Sequence, residues 1–233
     1  MLFRPLSFYL NYTTDTNKKH GRILVSEKTS IIDALKNAFA KTEKDPSEER
    51  LVEVYARTSD WTTMMGKIVL KAWSIYMGDR KHEWPHYAEN YTIDHAFCCE
   101  EYSCHHLFDK AWYPAELHWI VELENGEKPE EEMWKLAFWR ARHKILCACD
   151  WNEDRKTSEA RREWYGKRKA AFCEILKKAN QHVREDPDTR YYFFVSNQEH
   201  SGGDLRWRAQ TLTPTGAVEH EEAFTLEQLV DGQ

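Results

Sequence analysis

Histidine and cysteine, whose side chains bind metal ions, are concentrated in one stretch of this chain. Six of the eleven histidines and three of the six cysteines lie within residues 82–118. A zinc ion takes four nitrogen or sulfur ligands, which proteins commonly supply as two short-spaced pairs. The ligands that the sequence offers for such a site are Cys99, Cys104, His105, Cys147 and Cys149. The spacing of these residues does not match that of known zinc sites, so we predict no cofactor and expect buried, reduced thiols. Zinc bound at these residues is the alternative.

A second metal pattern lies at the start of the same stretch. His82, Glu83 and His86 fit H-E-x-x-H, which zinc peptidases carry on a helix with the glutamate beside the metal-bound water. Pro85 stands between the two histidines, and a proline there would interrupt a helix. We therefore predict no catalytic residues, and these three residues belong to an alternative hypothesis, a zinc-dependent hydrolase.

Motifs that the sequence lacks argue against other kinds of chemistry. Neither G-x-x-x-x-G-K-[ST] nor G-x-G-x-x-G occurs, so a glycine-rich phosphate-binding loop is not expected. No Glu-x-Lys triplet occurs either, and its absence weakens the common nuclease arrangement of a carboxylate beside a catalytic lysine.

Charge differs sharply between two neighbouring segments, although the net charge is only −6. Residues 83–134 contain 2 basic and 13 acidic residues, whereas residues 135–180 contain 13 basic and 6 acidic residues. Arginines interleaved with aromatic side chains suit contact with nucleic acid, and they suit a protein interface equally well. The residues that we predict to bind a macromolecule are Arg140, Arg142, Arg161, Arg162, Arg168, Trp139, Trp151, Glu130, Glu131 and Glu132.

The sequence patterns predict strands and helices that together indicate the α+β fold class. Alternation over residues 6–12 and an apolar run over 23–25 predict an N-terminal β-hairpin. Strand-forming residues over 190–195, 205–212 and 217–224 predict a C-terminal β-meander. We expect the hairpin and the meander to form one antiparallel sheet.

The middle of the chain is predicted to be mainly helical. A short strand is indicated over residues 117–123, a helix opens at Pro129 and stays in register to Ala148, and a basic helix follows over 158–181. The chain is expected to form a single domain over 1–233, and a helical subdomain over 46–185 is the variant that the pattern leaves open.

Composition limits the function classes further. The chain has 233 residues, of which 41% are hydrophobic and 31% charged, and no apolar run approaches the ~18 residues of a membrane span. The first residues do not resemble a secretory signal, so we expect a cytoplasmic protein.

The leading hypothesis is a non-enzymatic interaction protein, most concretely a regulator or inhibitor that binds a nucleic-acid-processing complex through charged, aromatic-rich surfaces. The expected partner is another protein, including one already bound to nucleic acid. The alternatives are the zinc hydrolase and direct DNA or RNA binding or processing by the basic helices over 135–180. The sequence leaves the oligomeric state open.

Overall fold

The computed structural model describes a chain of alternating helices and strands. The described residues are 29–55, 57–78, 86–90, 93–98, 105–108, 111–113, 117–125, 128–150, 157–182, 184–198 and 203–232. The helices are α1 (Ile31–Glu43), α2 (Leu51–Tyr55), α3 (Thr58–Met77), α4 (Pro129–Phe138), α5 (Ser158–His182) and α6 (Leu226–Asp231). The strands are β1 (His86–Asn90), β2 (Ile93–Cys98), β3 (His105–Phe108), β4 (Ala111–Tyr113), β5 (Leu117–Glu124), β6 (Ala141–Asp150), β7 (Arg190–Gln198), β8 (Leu205–Leu212) and β9 (Val218–Thr225).

Seven of these strands form one mixed sheet in the order β1-β2-β5-β6-β7-β8-β9. The three central strands β5, β6 and β7 are parallel, and every other neighbouring pair is antiparallel. Parallel neighbours need a crossover connection, and α4 and α5 supply the two crossovers. Strands β3 and β4 form a separate two-stranded sheet.

Helices cover both faces of the central strands. Apolar residues of α4 and α5 pack on one face, around Met133, Phe172 and Phe193. Helices α1, α3 and α6 pack on the other, around Trp119 and Trp207. Because the central strands are buried on both faces, their sequences read as continuous apolar runs instead of alternating ones. No helix in the described ranges is long and apolar enough to span a membrane.

The combination of helices and a sheet confirms the predicted class in its coarse form, but the sheet is not wholly antiparallel. The middle of the chain is also less helical than predicted, because α4 ends at Phe138 and β6 begins at Ala141. An apolar run such as residues 145–149 fits a buried strand as well as a helix, and periodicity cannot distinguish them. The C-terminal meander β7-β8-β9 is present. The predicted N-terminal hairpin lies outside the described residues, and the division into domains stays a prediction.

The turn between β8 and β9 packs tightly against α5 and provides a test of this packing. Gly216 has a φ of 78°, and a Cβ atom there would lie 2.4 Å from the backbone oxygen of Cys173. Gly216→Ala should therefore lower the free energy of unfolding by about 1–3 kcal/mol, through backbone strain and overpacking. Thermal unfolding measures the change. Gly166→Ala is the matched control, since its Cβ would meet nothing within 4 Å and alanine favours the helix. Equal melting temperatures for the two variants would contradict the prediction.

Candidate functional site

Strands β2 and β5 bring two acidic side chains to adjacent positions in the sheet. His95 pairs with Val121 in the antiparallel register, which places Asp94 beside Glu122. The Asp94 carboxylate accepts a hydrogen bond from the backbone N–H of Leu123, with 2.7 Å between Oδ2 and N. This bond fixes the carboxylate of Asp94 against the backbone between Glu122 and Glu124.

Glu122 is held inside the protein instead of facing solvent. Glu122 is only 1% exposed, and its Oε1 lies 3.1 Å from the Nζ of Lys135 on α4. The same Nζ forms an ion pair with Glu132, one turn earlier on that helix. Helix α4 positions Lys135 because Met133, Leu136 and Ala137 anchor its opposite face in the core. We call Asp94, Glu122, Glu132 and Lys135 the carboxylate–lysine site.

Electrostatics within the carboxylate–lysine site favour an added cation. Burial raises the pKa of Glu122 to about 8, the Lys135 hydrogen bond opposes this, and the charges of Asp94 and Glu132 raise it further. Burial lowers the pKa of Lys135, but hydrogen bonds to Glu132 and Glu122 outweigh that effect and raise it overall. Two glutamates therefore share one charged lysine, the charge of Asp94 acts on Glu122 as well, and a second positive charge would let Glu122 ionise.

The location in the sheet is one that open α/β folds use for ligands. Such ligands bind outside the carboxyl ends of the parallel strands, and Glu122 lies near the carboxyl end of β5. Glu124 follows on the same face of that strand, since side chains alternate along a strand. At the corresponding end of β6, Asp150 is buried and forms an ion pair with Arg161, with 3.2 Å between Oδ2 and Nη1.

The described residues do not contain a complete metal site. No three His, Cys, Asp or Glu side chains among them are arranged so that they could hold a metal ion by themselves. This does not exclude Mg²⁺, which keeps several of its waters and is usually bound by one or two carboxylates together with substrate phosphates. Asp94 and Glu122 would suffice as protein ligands in such an arrangement.

The residues predicted to form a hydrolase motif are not arranged as a helix at the one position that can be examined. His86 is the first residue of β1, while His82 and Glu83 lie outside the described residues. The Nε2 of His86 lies 3.0 Å from the Nδ1 of His95 on the neighbouring strand. His86 therefore contacts a histidine across the sheet, and the helical spacing that makes H-E-x-x-H a metal site does not apply to it.

A β-bulge buries another histidine, His118, beside the half-buried His143. The register between β2 and β5 shifts so that Phe97 pairs with Trp119 and the next residue, Cys98, pairs with Leu117, which leaves His118 as an extra residue. The ring of His118 lies 5.2 Å from that of His143, between centroids. Burial, reinforced by the charge of Arg142, lowers the pKa of His118 to about 3. His118 is therefore a neutral core residue.

The proposed zinc ligands are only partly open to examination. Cys99 and Cys104 lie outside the described residues, as does the side chain of His105. Cys147 and Cys149 are both buried in β6, where they point to the same face, whereas in a helix they would diverge. Burial raises the pKa of Cys149 to about 12 and also raises that of Cys147, so neither thiol ionises readily. Zinc at these residues stays the alternative hypothesis, and the lack of a cofactor stays a prediction.

The residues predicted to bind a macromolecule differ in exposure and in whether they form ion pairs within the chain. Arg140, Arg142 and Arg162 are exposed, and Trp139 is half-buried. Arg161 is paired with Asp150, and Arg168 is paired with Glu130 and lies over the Trp164 ring. The Oε1 of Glu131 lies 3.7 Å from the Nζ of Lys128, and Glu132 forms an ion pair with Lys135. Trp151 lies outside the described residues.

Sequence reasoning did not identify the carboxylate–lysine site. It searched for a lysine two residues after an acidic residue, and here the lysine comes from α4, 13 residues after Glu122 in the numbering. One signal was available: the strand predicted over 117–123 contains a glutamate within a run of apolar residues. A carboxylate inside a buried strand is uncommon without a partner or a function.

Comparisons with protein-family models and with curated protein sequences find no match for this chain. The functional assignment therefore depends on the geometry of its own residues.

The burial of Glu122 predicts how stability changes with pH. The folded-state pKa of about 8 exceeds the ordinary value of 4.5, so the folded chain binds more protons between these pH values than the unfolded chain. The free energy of unfolding contributed by this group must therefore fall as the pH rises from about 4.5 to about 8. Glu122→Gln should remove this decline, so the variant gains stability relative to the wild type at pH 8–9 but not at pH 4. Melting temperatures across this range, measured with a chelator present, test the prediction. A constant difference between the two proteins would contradict it.

Proposed function

We propose that this protein is a phosphodiesterase that uses a divalent cation to cleave nucleic acid. One observation carries the proposal: Asp94 and Glu122 lie opposite each other on neighbouring strands, and Glu122 pairs with the lysine of a flanking helix near the carboxyl end of β5. A carboxylate beside a lysine is the arrangement that the absence of Glu-x-Lys had argued against. In the folded chain Lys135 lies beside Glu122 although the two residues are 13 positions apart in the sequence.

The carboxylates would hold the cation. Mg²⁺ prefers oxygen ligands, and Asp94 and Glu122 offer two of them while water and a substrate phosphate supply the others. Binding would displace the proton that Glu122 retains at neutral pH, which makes the apparent cation affinity rise with pH. A bound cation would polarise a phosphoryl oxygen and would lower the pKa of a coordinated water, so that this water could serve as the nucleophile for hydrolysis.

Lys135 would act by its charge and not as a base. Its pKa is raised by the two glutamates, so the ammonium group persists at neutral pH. A fixed ammonium beside the scissile phosphate stabilises the additional negative charge of the transition state, and such stabilisation is usually the largest single contribution to catalysis.

Nucleic acid is the substrate class that the surrounding charge favours. The exposed Arg140 lies two residues after the end of α4 and the exposed Arg162 lies on α5, and these are the two helices that cover this face of the sheet. These arginines are suited to contact the phosphates on either side of the one that is cleaved.

The experiment is an assay of the purified chain with single-stranded DNA, duplex DNA and RNA. We expect cleavage with Mg²⁺ or Mn²⁺ and none with a chelator. The Asp94→Asn variant, purified in the same way, controls for contaminating nucleases. Absence of cleavage of all three substrates, together with calorimetry that detects no Mn²⁺ binding at millimolar concentration, would overturn the proposal.

For either candidate function we propose a cytoplasmic location, where the thiols would stay reduced. The second candidate function is a non-enzymatic regulator that binds a nucleic-acid-processing protein. The exposed aromatic side chains Trp134 and Phe138 favour a binding role. The glutamates predicted to meet a basic partner are each paired with a cation of this chain, Glu130 with Arg168, Glu131 with Lys128 and Glu132 with Lys135. Such pairing lowers the charge available to a partner.

A further inference from the structure

Helix α4 exposes two large aromatic side chains next to each other. Trp134 is 47% exposed and Phe138 is 50% exposed, and their ring centroids lie 4.7 Å apart with the rings nearly perpendicular. We call these two residues the aromatic pair. Burying a large aromatic side chain contributes substantially to stability, so two of them left in solvent on one helix face require another explanation.

The aromatic pair lies on the same exposed side of α4 as the lysine of the carboxylate–lysine site. Residues three and four apart on a helix are neighbours, so Phe138 is adjacent both to Trp134 and to Lys135. Along the helix axis, Phe138 is about 4.5 Å beyond Lys135. A substrate strand held at Lys135 would therefore pass the aromatic pair within one or two nucleotides.

Charge around the aromatic pair is compatible with a polyanion. Arg140 is exposed and follows Phe138 by two residues. Each acidic residue in the first turn of α4 has a basic neighbour: Glu130 pairs with Arg168, Glu132 pairs with Lys135, and the Oε1 of Glu131 lies 3.7 Å from the Nζ of Lys128. Along α4, Lys135 lies between Trp134 and Phe138, and Arg140 follows after the end of the helix.

We propose that the aromatic pair stacks with unpaired bases of the nucleic acid that is cleaved at the carboxylate–lysine site. This inference rests on the proposed function and makes it more specific: the substrate is a single strand or an unpaired end. Aromatic side chains stack with bases only where these are splayed out of a duplex, and this stacking tolerates every sequence. Arg140 contacts the phosphate next to the stacked bases.

The test compares the wild type with Trp134→Ala/Phe138→Ala. The double variant should bind a fluorescently labelled single-stranded oligonucleotide about tenfold or more weakly, with KM raised by a similar factor and kcat little changed. Cleavage and binding of the corresponding duplex should change less. Trp134→Phe/Phe138→Tyr should restore binding, since it retains two rings. Leu70→Ala is the matched control, because Leu70 is also a large exposed apolar residue, on α3.

The outcomes separate this inference from the proposed function. If the wild type cleaves nucleic acid and the double variant behaves identically, the inference is wrong and the proposed function stands. If the wild type cleaves nothing, binding of the single strand without a cation still decides: loss of affinity in the double variant supports stacking, and no affinity in the wild type overturns it. A wild-type dimer that the double variant converts to a monomer would assign the aromatic pair to a subunit contact and overturn the inference.

Discussion

Asp94→Asn should lower the rate of nucleic acid cleavage at least about 100-fold while the fold stays intact. The asparagine side chain keeps an oxygen that can accept the hydrogen bond from the N–H of Leu123, so the local geometry survives. What it loses is the negative charge that would hold a divalent cation. We expect the melting temperature to change by no more than about 3 °C, which corresponds to about 1 kcal/mol in a chain of this size.

Lys135→Met tests the second component of the same site. Methionine preserves the length and helix propensity of the side chain but removes the charge beside the phosphate, so we expect kcat to fall about 10-fold to 100-fold. Lys128→Met is the matched control, because Lys128 lies just before the same helix and its side chain is 79% exposed. For Asp94→Asn the corresponding control is Asp204→Asn, since Asp204 is exposed. Wild-type rates in both Asp94→Asn and Lys135→Met would exclude this site from catalysis.

Lys144→Met should cause the largest loss of stability. Lys144 is completely buried, pairs with Glu185 and donates a hydrogen bond to the hydroxyl of Tyr191, with 2.9 Å between Nζ and Oη. Removing the lysine leaves the Glu185 charge buried, which costs about 3–5 kcal/mol. The melting temperature should fall by roughly 10 °C, as measured by calorimetry or circular dichroism.

A second variant shows whether the loss comes from the uncompensated charge. In Lys144→Met/Glu185→Gln the glutamine is neutral and can still accept the hydrogen bond that the Tyr191 hydroxyl donates to Glu185. Most of the lost stability should return. If the double variant is as unstable as Lys144→Met, the cost arises from packing and not from charge.

Much of the fold follows from local sequence signals. The strands predicted over 190–195, 205–212 and 217–224 correspond to β7, β8 and β9, because strand-forming runs end at clear turns. The helix predicted over 158–181 corresponds to α5. Pro129 does begin α4, where its fixed φ is favourable.

Strand β6 was misassigned for a physical reason. Its residues Ala141, Ile145 and Ala148 fit the helical period of the preceding α4, and nothing local shows that both faces of the segment are covered. Once β6 is read as helix, β5 and β7 lose their parallel neighbour and the sheet is expected to be antiparallel. Strands β1 and β2 were not predicted either, and together with β6 they account for the difference between the predicted sheet and the described one.

The carboxylate–lysine site could be predicted only in part. Glu122 in an apolar strand is visible in the sequence, but its neighbours Asp94 and Lys135 depend on the register of β2 with β5 and on the crossover through α4. These are tertiary facts. A motif search recognises a lysine at a fixed spacing in the sequence, whereas the site requires only that the ammonium group lie beside the carboxylates in the folded chain.

The position of β6 between β5 and β7 has a consequence for synthesis on the ribosome. Its partner β5 precedes it closely, but β7 begins only at Arg190, after the whole of α5. During that interval one side of β6 has unpaired N–H and C=O groups, which form a template for aggregation. The rate at which ribosomes translate residues 151–189 should therefore affect how much soluble protein a cell accumulates.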